Sequence, residues 1–195
     1  MKRLLLILIF TLSFHTLSKA DDISDFELEG ITIGDSLLDY YSKEEINSFL
    51  IVKYPSDEKF IGWESTENII YKKYKAMTFH VKKMDPKYKI YSMKAMLDFD
   101  DKLDECLKKK DIITNQIKNF SGIQKIDNYE NNFGNKIGTS KAYIVDFFFK
   151  KKDKIRVWCS KWDKENTRSK DWIDTLNVGV STTEFNNWLN KKAYK

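Results

Sequence analysis

The sequence predicts an α+β fold: a mainly antiparallel sheet of about five to six strands built from hairpins, one long amphipathic helix, and shorter N- and C-terminal helices. Three observations predict it. Several segments alternate apolar and polar residues, the period of a half-buried strand. Short turns join successive strand segments, whereas parallel strands need long crossovers. One segment, residues 100–120, carries apolar residues at helical spacing.

Taken in order, residues 21–35 begin polar and acidic and end on the apolar Ile31 and Ile33. Ser36 with Asp39 matches a capping box and opens a helix with Leu37, Leu38 and Tyr41 on its inner face. Ser42 and Glu45 form a second box, restarting the helix toward Ile46, Phe49 and Leu50. Phe60–Glu64 is a short strand candidate. Met77, Phe79 and Val81 alternate in a strand, and Tyr91, Met93, Ala95, Leu97 and Phe99 in its hairpin partner. In the helix Asp100–Phe120, residues Leu103, Cys106, Ile113, Ile117 and Phe120 form a stripe, with Asp100, Asp101, Asp104 and Glu105 in the first turns. Lys110 falls on that stripe and must snorkel. Residues 121–141 read as a polar loop with room for a short strand near Ile123–Tyr129. Tyr143–Lys150 and Lys154–Lys161 form a second hairpin, and Leu176, Val178 and Val180 another strand. Thr182 and its neighbours start a last helix with Phe185, Trp188 and Leu189.

The first 20 residues have the three parts of a secretory signal. Lys2 and Arg3 are charged, Leu4–Phe10 is an unbroken apolar run, and Ser18-Lys19-Ala20 places small residues at the cleavage positions. Residues 21–195 then form one domain, exported to the periplasm or secreted. No later segment is long and apolar enough to span a bilayer. Removing Lys2, Arg3 and Lys19 takes the formal charge from +5 to +2, so nucleic acid is not an expected partner. An oxidising compartment permits disulfides. The only two cysteines, Cys106 and Cys159, fit no zinc spacing. Helical and strand periodicities turn both toward the same core, so they are expected to bond.

Gly34-Asp35-Ser36-Leu37 resembles the signature of the GDSL esterase family, in which the Ser is the nucleophile. That resemblance implies a serine hydrolase using Ser36. The family's D-x-x-H and G-x-N-D blocks are missing, and the one histidine after the leader is His80, placed mid-chain on the polar face of a strand. A helix cap explains Ser36 equally well. Asp98, Asp100, Asp101 and Asp104 cluster at a strand–helix junction and read as solvated capping acids. Nothing in the pattern implies a metal or a cofactor.

Four of the five tryptophans lie in the last 38 residues. Trp158, Trp162 and Trp172, interleaved with Arg168 and several lysines, form a candidate surface for sugars, anionic lipid or a partner protein. The alternative is that they fill the core and rim of a small domain. Residues 21–190 resemble a group of small exported bacterial proteins of unknown function, most closely over Gly30–Ile46, the Lys89–Ser92 strand and the Cys106 helix. A weaker likeness is to envelope-assembly lipoproteins. The resemblance implies location and fold and carries no activity. The expectation is a non-catalytic binding or envelope-associated module whose partner is an envelope component or a protein; the alternative is the Ser36 hydrolase.

Overall fold

The computed structural model describes residues 22–55, 59–66, 71–133, 138–165 and 172–195. It is α+β, as its patterning implies, with one antiparallel sheet of eight strands rather than five or six. The strands are β1 (Leu50–Val52), β2 (Phe60–Thr66), β3 (Ala76–Lys82), β4 (Ile90–Asp98), β5 (Ile123–Asn132), β6 (Lys141–Phe149), β7 (Lys154–Lys161) and β8 (Thr175–Ser181). The helices that matter below are α1 (Lys43–Ser48), α2 (Leu103–Ile117) and α3 (Thr183–Lys191).

The strand order is β1-β2-β3-β4-β8-β7-β6-β5. Two four-stranded meanders therefore meet where β4 pairs with β8. Every neighbouring pair is antiparallel, which makes β4 and β5 run in the same direction. Their connection, through α2, is a crossover and not a hairpin. Four strand spacings, roughly 19 Å, separate β4 from β5. The 15 residues of α2 extend about 22 Å, which is enough to bridge that gap.

The two extra strands have local causes. Leu50, expected on a helix face, follows the Phe49 C-cap and enters β1, where it is 63% exposed. A helix after Ser42 lasts only six residues because Phe49 turns extended. The polar stretch 121–141, read as a loop with room for a short strand near Ile123–Tyr129, contains the full edge strand Ile123–Asn132, exposed along nearly its whole length. An edge strand covered by no helix needs no apolar alternation, so its sequence looks like loop.

Other boundaries also move. Asp100 and Asp101 adopt left-handed backbone (φ +27° and +60°) and make a turn, so α2 begins only at Leu103 and ends at Ile117. Leu37–Asp39 is a single 3-10 turn and not an α-helix. A bulge between β3 and β4 at His80/Val81 re-aims Tyr91. Ile90 takes the core position, and Tyr91 packs instead with Phe60 on the opposite face.

The main core lies on one face of the sheet. Phe79, Met93, Val178, Val180, Ile155, Val157 and Phe147 point into it. Ile31, Leu37 and Ile46 from the N-terminal segment and Cys106 and Ile117 from α2 cover it. Cys106 and Cys159 are bonded across this core with Cα atoms 6.1 Å apart, inside the usual range. The bond closes a separation of 53 residues and ties α2 to β7. Lys110 lies along the same side of α2, 7% exposed, with its ammonium 3.3 Å from the exposed Asp111 carboxylate. Among the described residues, a helix covers the opposite face of the sheet at one end only. There α3 lays Phe185 and Trp188 over Phe60 and His80.

Candidate functional site

Antiparallel register lines up rows of side chains across the sheet. On the face opposite the main core, one row runs Trp158, Asn177, Met96, Ala76 and Thr66 through β7, β8, β4, β3 and β2. The next row adds Ser160, Thr175 and Asp98. This is the end that α3 leaves uncovered. It forms the floor of a groove of about 570 Å³, within the range of small-molecule sites.

Glycine and tryptophan shape that floor together. Gly179 lies in the middle of β8, and a Cβ added there would sit 3.3 Å from Cζ3 of Trp158. The missing side chain lets the Trp158 ring settle across the neighbouring strand. One side of the groove is an aromatic wall. Phe133, just past β5, stacks on Trp162 at 5.0 Å and 18°. Trp162 meets Trp172 at 4.5 Å and 54°.

A buried carboxylate holds this wall. Asp174 accepts a hydrogen bond from the Trp162 backbone N–H at 2.9 Å and from Lys161 Nζ at 2.7 Å. Lys161 also donates to Asp101 at 2.8 Å. Those bonds outweigh burial and raise the Lys161 pKa, while the same contact lowers that of Asp101. Ser140 supports the wall from beneath: its Oγ accepts from the Asp163 N–H at 3.0 Å and its carbonyl from the Phe133 N–H at 3.2 Å.

The charged groups of the groove are matched in pairs. Lys75 donates to Asp98. Lys94 faces Glu64 at 3.8 Å, and Glu64 also accepts from the Thr78 hydroxyl at 2.9 Å. Burial pushes the Lys94 pKa down, against the pull of Glu64. Beside Trp158, Arg156 makes a two-pronged bond to the buried Asp146, each contact at 2.7 Å. Burial opposes the guanidinium charge, but Asp146 and Tyr129 hold its pKa above the ordinary value.

Of the candidate surface read from sequence, Trp158, Trp162 and Trp172 are brought together, and all three are half-buried. Arg168 lies outside the described residues. The other two tryptophans are elsewhere. Trp63 stacks on Tyr88 at 5.7 Å, and Trp188, on the inner face of α3, is 3% exposed. Sequence reasoning missed Phe133, Met96, Asn177 and Lys94, whose place follows only from register. One signal was legible: a lone Gly inside the Val178-Gly179-Val180 strand marks a close approach.

Ser36 occupies a cap. Its Oγ accepts from the Leu38 N–H at 3.2 Å and donates to the Lys87 carbonyl at 2.6 Å. Asp35 beside it accepts from the Thr32 N–H at 2.9 Å and the Tyr40 hydroxyl at 2.6 Å. His80 is not on an exposed polar face. It is 7% exposed, because α3 covers that end of the sheet, and its Nε2 lies 2.7 Å from the Tyr54 hydroxyl. Burial and the Lys94 charge push its pKa down to about 3. The acidic cluster at 98–104 does not act as solvated caps throughout: Asp98 binds Lys75 and Asp101 binds Lys161. Among the described residues, no three His, Cys, Asp or Glu side chains group as metal ligands would. No described helix is long and apolar enough to cross a membrane.

A second cavity, of about 560 Å³, lies between residues 26–30, residues 72–74 and α2. Of its two carboxylates, Glu27 and Glu29, the second is already engaged. Glu29 accepts from the backbone N–H groups of Lys72, Lys73 and Tyr74 at 2.7–3.2 Å, which pins that loop.

Comparisons of the chain with family models, curated proteins and solved structures found no match.

Proposed function

We propose that the protein is an exported, non-catalytic binding module that seats its ligand in the groove between Trp158 and the Phe133–Trp162–Trp172 wall. The observation that carries this reading is the groove's construction. Gly179 makes room for Trp158, and the buried Asp174 fixes the backbone of Trp162. A groove whose aromatic rings are set in place by the strands beneath them is pre-organised for a ligand. The leader-like first 20 residues and the Cys106–Cys159 bond support export. Ser36 Oγ is engaged on both sides, capping the Leu38 N–H and tethered to the Lys87 carbonyl, which supports a structural role for it and a binding role over hydrolysis.

The test is fluorine NMR on protein carrying 5-fluorotryptophan at its five tryptophans, assigned by single Trp→Phe variants. Neutral oligosaccharides, anionic phosphatidylglycerol vesicles and short apolar peptides are added in turn. A ligand in the groove shifts Trp158, Trp162 and Trp172 and leaves Trp63 and Trp188 in place. No shift with any probe, or shifts confined to Trp63 and Trp188, rejects the reading.

A further inference from the structure

Resting on that groove, we infer that its ligand is a short, uncharged saccharide. Charge comes first. Among the described residues, the lining holds the cations Lys75 and Lys94 and the anion Asp98, with Glu64 behind Lys94. They cancel in pairs, Lys75 with Asp98 and Lys94 with Glu64. Lys161, next along β7, is engaged by Asp101 and Asp174. A phosphate or carboxylate ligand would have to break one of these pairs and face the released carboxylate. A cationic ligand would face the ammonium groups. A neutral ligand disturbs neither.

Shape and polarity narrow the neutral candidates. Trp158 offers a flat floor, and Trp162 with Trp172 offers a side wall. Aromatic faces are electron-rich at the centre and take the C–H face of a sugar ring. Around them sit Asn177, Thr175, Ser160 and Thr66 together with the paired Lys and Asp heads. A carboxylate or ammonium in an ion pair still has lone pairs or protons to share. Sugar hydroxyls donate and accept at once, so they match this mixed set. Asn177 Nδ2 donates to Thr175 Oγ1 at 2.9 Å and the charged heads are paired, but a hydrocarbon chain would cut their remaining donors and acceptors off from water and offer them nothing, which is unfavourable.

A peptide is disfavoured by backbone chemistry. Peptides that lie on sheets gain much of their affinity by adding as an edge strand. The floor strands β3, β4, β8 and β7 are each paired on both sides, so their backbone groups are already used. Recognition in this groove is left to side chains.

The experiment uses the disulfide-intact protein beginning at Asp21, titrated by calorimetry and by the fluorine spectrum. The probes are neutral trisaccharides (chitotriose, cellotriose, maltotriose), phosphatidylglycerol vesicles and apolar tripeptides. The expected result is that at least one trisaccharide binds and shifts Trp158 and Trp162. Its affinity should fall by about tenfold or more in Trp158→Ala and in Trp162→Ala. Trp63→Phe, on the other face of the sheet, should leave it unchanged. Affinity should vary less than about twofold between about 50 and about 500 mM salt, because no net charge is neutralised. Circular dichroism and the pattern of the remaining fluorine resonances verify that each variant folds. Binding of vesicles or peptides at the groove, without any trisaccharide, overturns the saccharide inference and leaves the groove reading standing. No binding by any probe overturns both. Trisaccharide binding that survives both Ala variants also removes both, since the site would lie elsewhere.

Discussion

Acid should destabilise this protein through one side chain, His80. The imidazole lies between Phe185 of α3 and the sheet, with Nε2 at 2.7 Å from the Tyr54 hydroxyl. Its Nδ1 has no hydrogen-bond partner among the described residues. The neutral ring fits this site. Protonation would bury a charge and a second N–H donor in an apolar shell, with the Lys94 ammonium opposing it further. Burial and Lys94 thus hold the folded pKa at about 3 against 6.5 in the unfolded chain. Between those values the unfolded chain binds the extra proton, so stability rises with pH and is lost as pH falls below the unfolded pKa. Each pH unit below it costs about 1.4 kcal/mol, so going from about pH 7 to about pH 5 removes about 2 kcal/mol. That figure does not depend on the folded value, provided the folded pKa lies well below 5. The window also isolates the group. His80 is the only histidine among the described residues. The lowered carboxylates Asp35, Glu45, Asp101 and Glu184 add their own losses only nearer and below about pH 4. The assay is urea unfolding followed by tryptophan emission, without reductant, at both pH values. With a slope of about 2 kcal/mol per molar urea, the midpoint should drop by about 1 M. In His80→Gln, which keeps a partner for Tyr54 and cannot titrate, the midpoint should be lower at neutral pH but flat across the window. A wild-type midpoint that does not move, or a variant that keeps the slope, refutes the argument.

Four other outcomes follow from the same contacts. Replacing Cys106 and Cys159 together with Ala should cost about 4 kcal/mol by the chain-entropy model for a 53-residue separation, read as a urea midpoint shift against the oxidised protein. Ser36→Ala should cost roughly 0.5–2 kcal/mol as a lost cap, and a fluorophosphonate probe should label Ser36 no faster than other serines. Gly62→Ala places a Cβ 2.8 Å from that of Val52 and 2.9 Å from His80 Nε2, so its melting temperature should fall more than that of Gly179→Ala, whose new methyl comes no nearer to any atom than 3.3 Å, at the edge of Trp158. Intact-mass measurement on protein from the exported fraction should give a chain starting at Asp21, and retention of residues 1–20 in most molecules would reject cleavage.

Local signals carried much of the architecture. The strands β3, β6, β7 and β8 were legible because one face of each is buried against the main core, which enforces alternation. The Ser42 capping box and the Thr182 cap marked helix starts because both motifs act within one turn. The Cys106–Cys159 bond was legible because two independent periodicities pointed each sulfur inward. The exposed β1, the full extent of the edge strand β5 beyond a short strand near Ile123–Tyr129, and the crossover role of α2 were not, since edges need no buried face and strand order leaves no mark on any single segment. The candidate site divides the same way. Trp158, Trp162 and Trp172 stood out by type and proximity in the chain. That Phe133 stacks on Trp162, that Lys94 and Asn177 share the floor, and that His80 is buried are matters of register and of where α3 lies. Composition and periodicity act through neighbours in the chain, so they determined the elements and their inner faces. Which elements lie side by side is set by long-range packing, and that alone decided that one face of the sheet is capped at one end and open as an aromatic groove at the other.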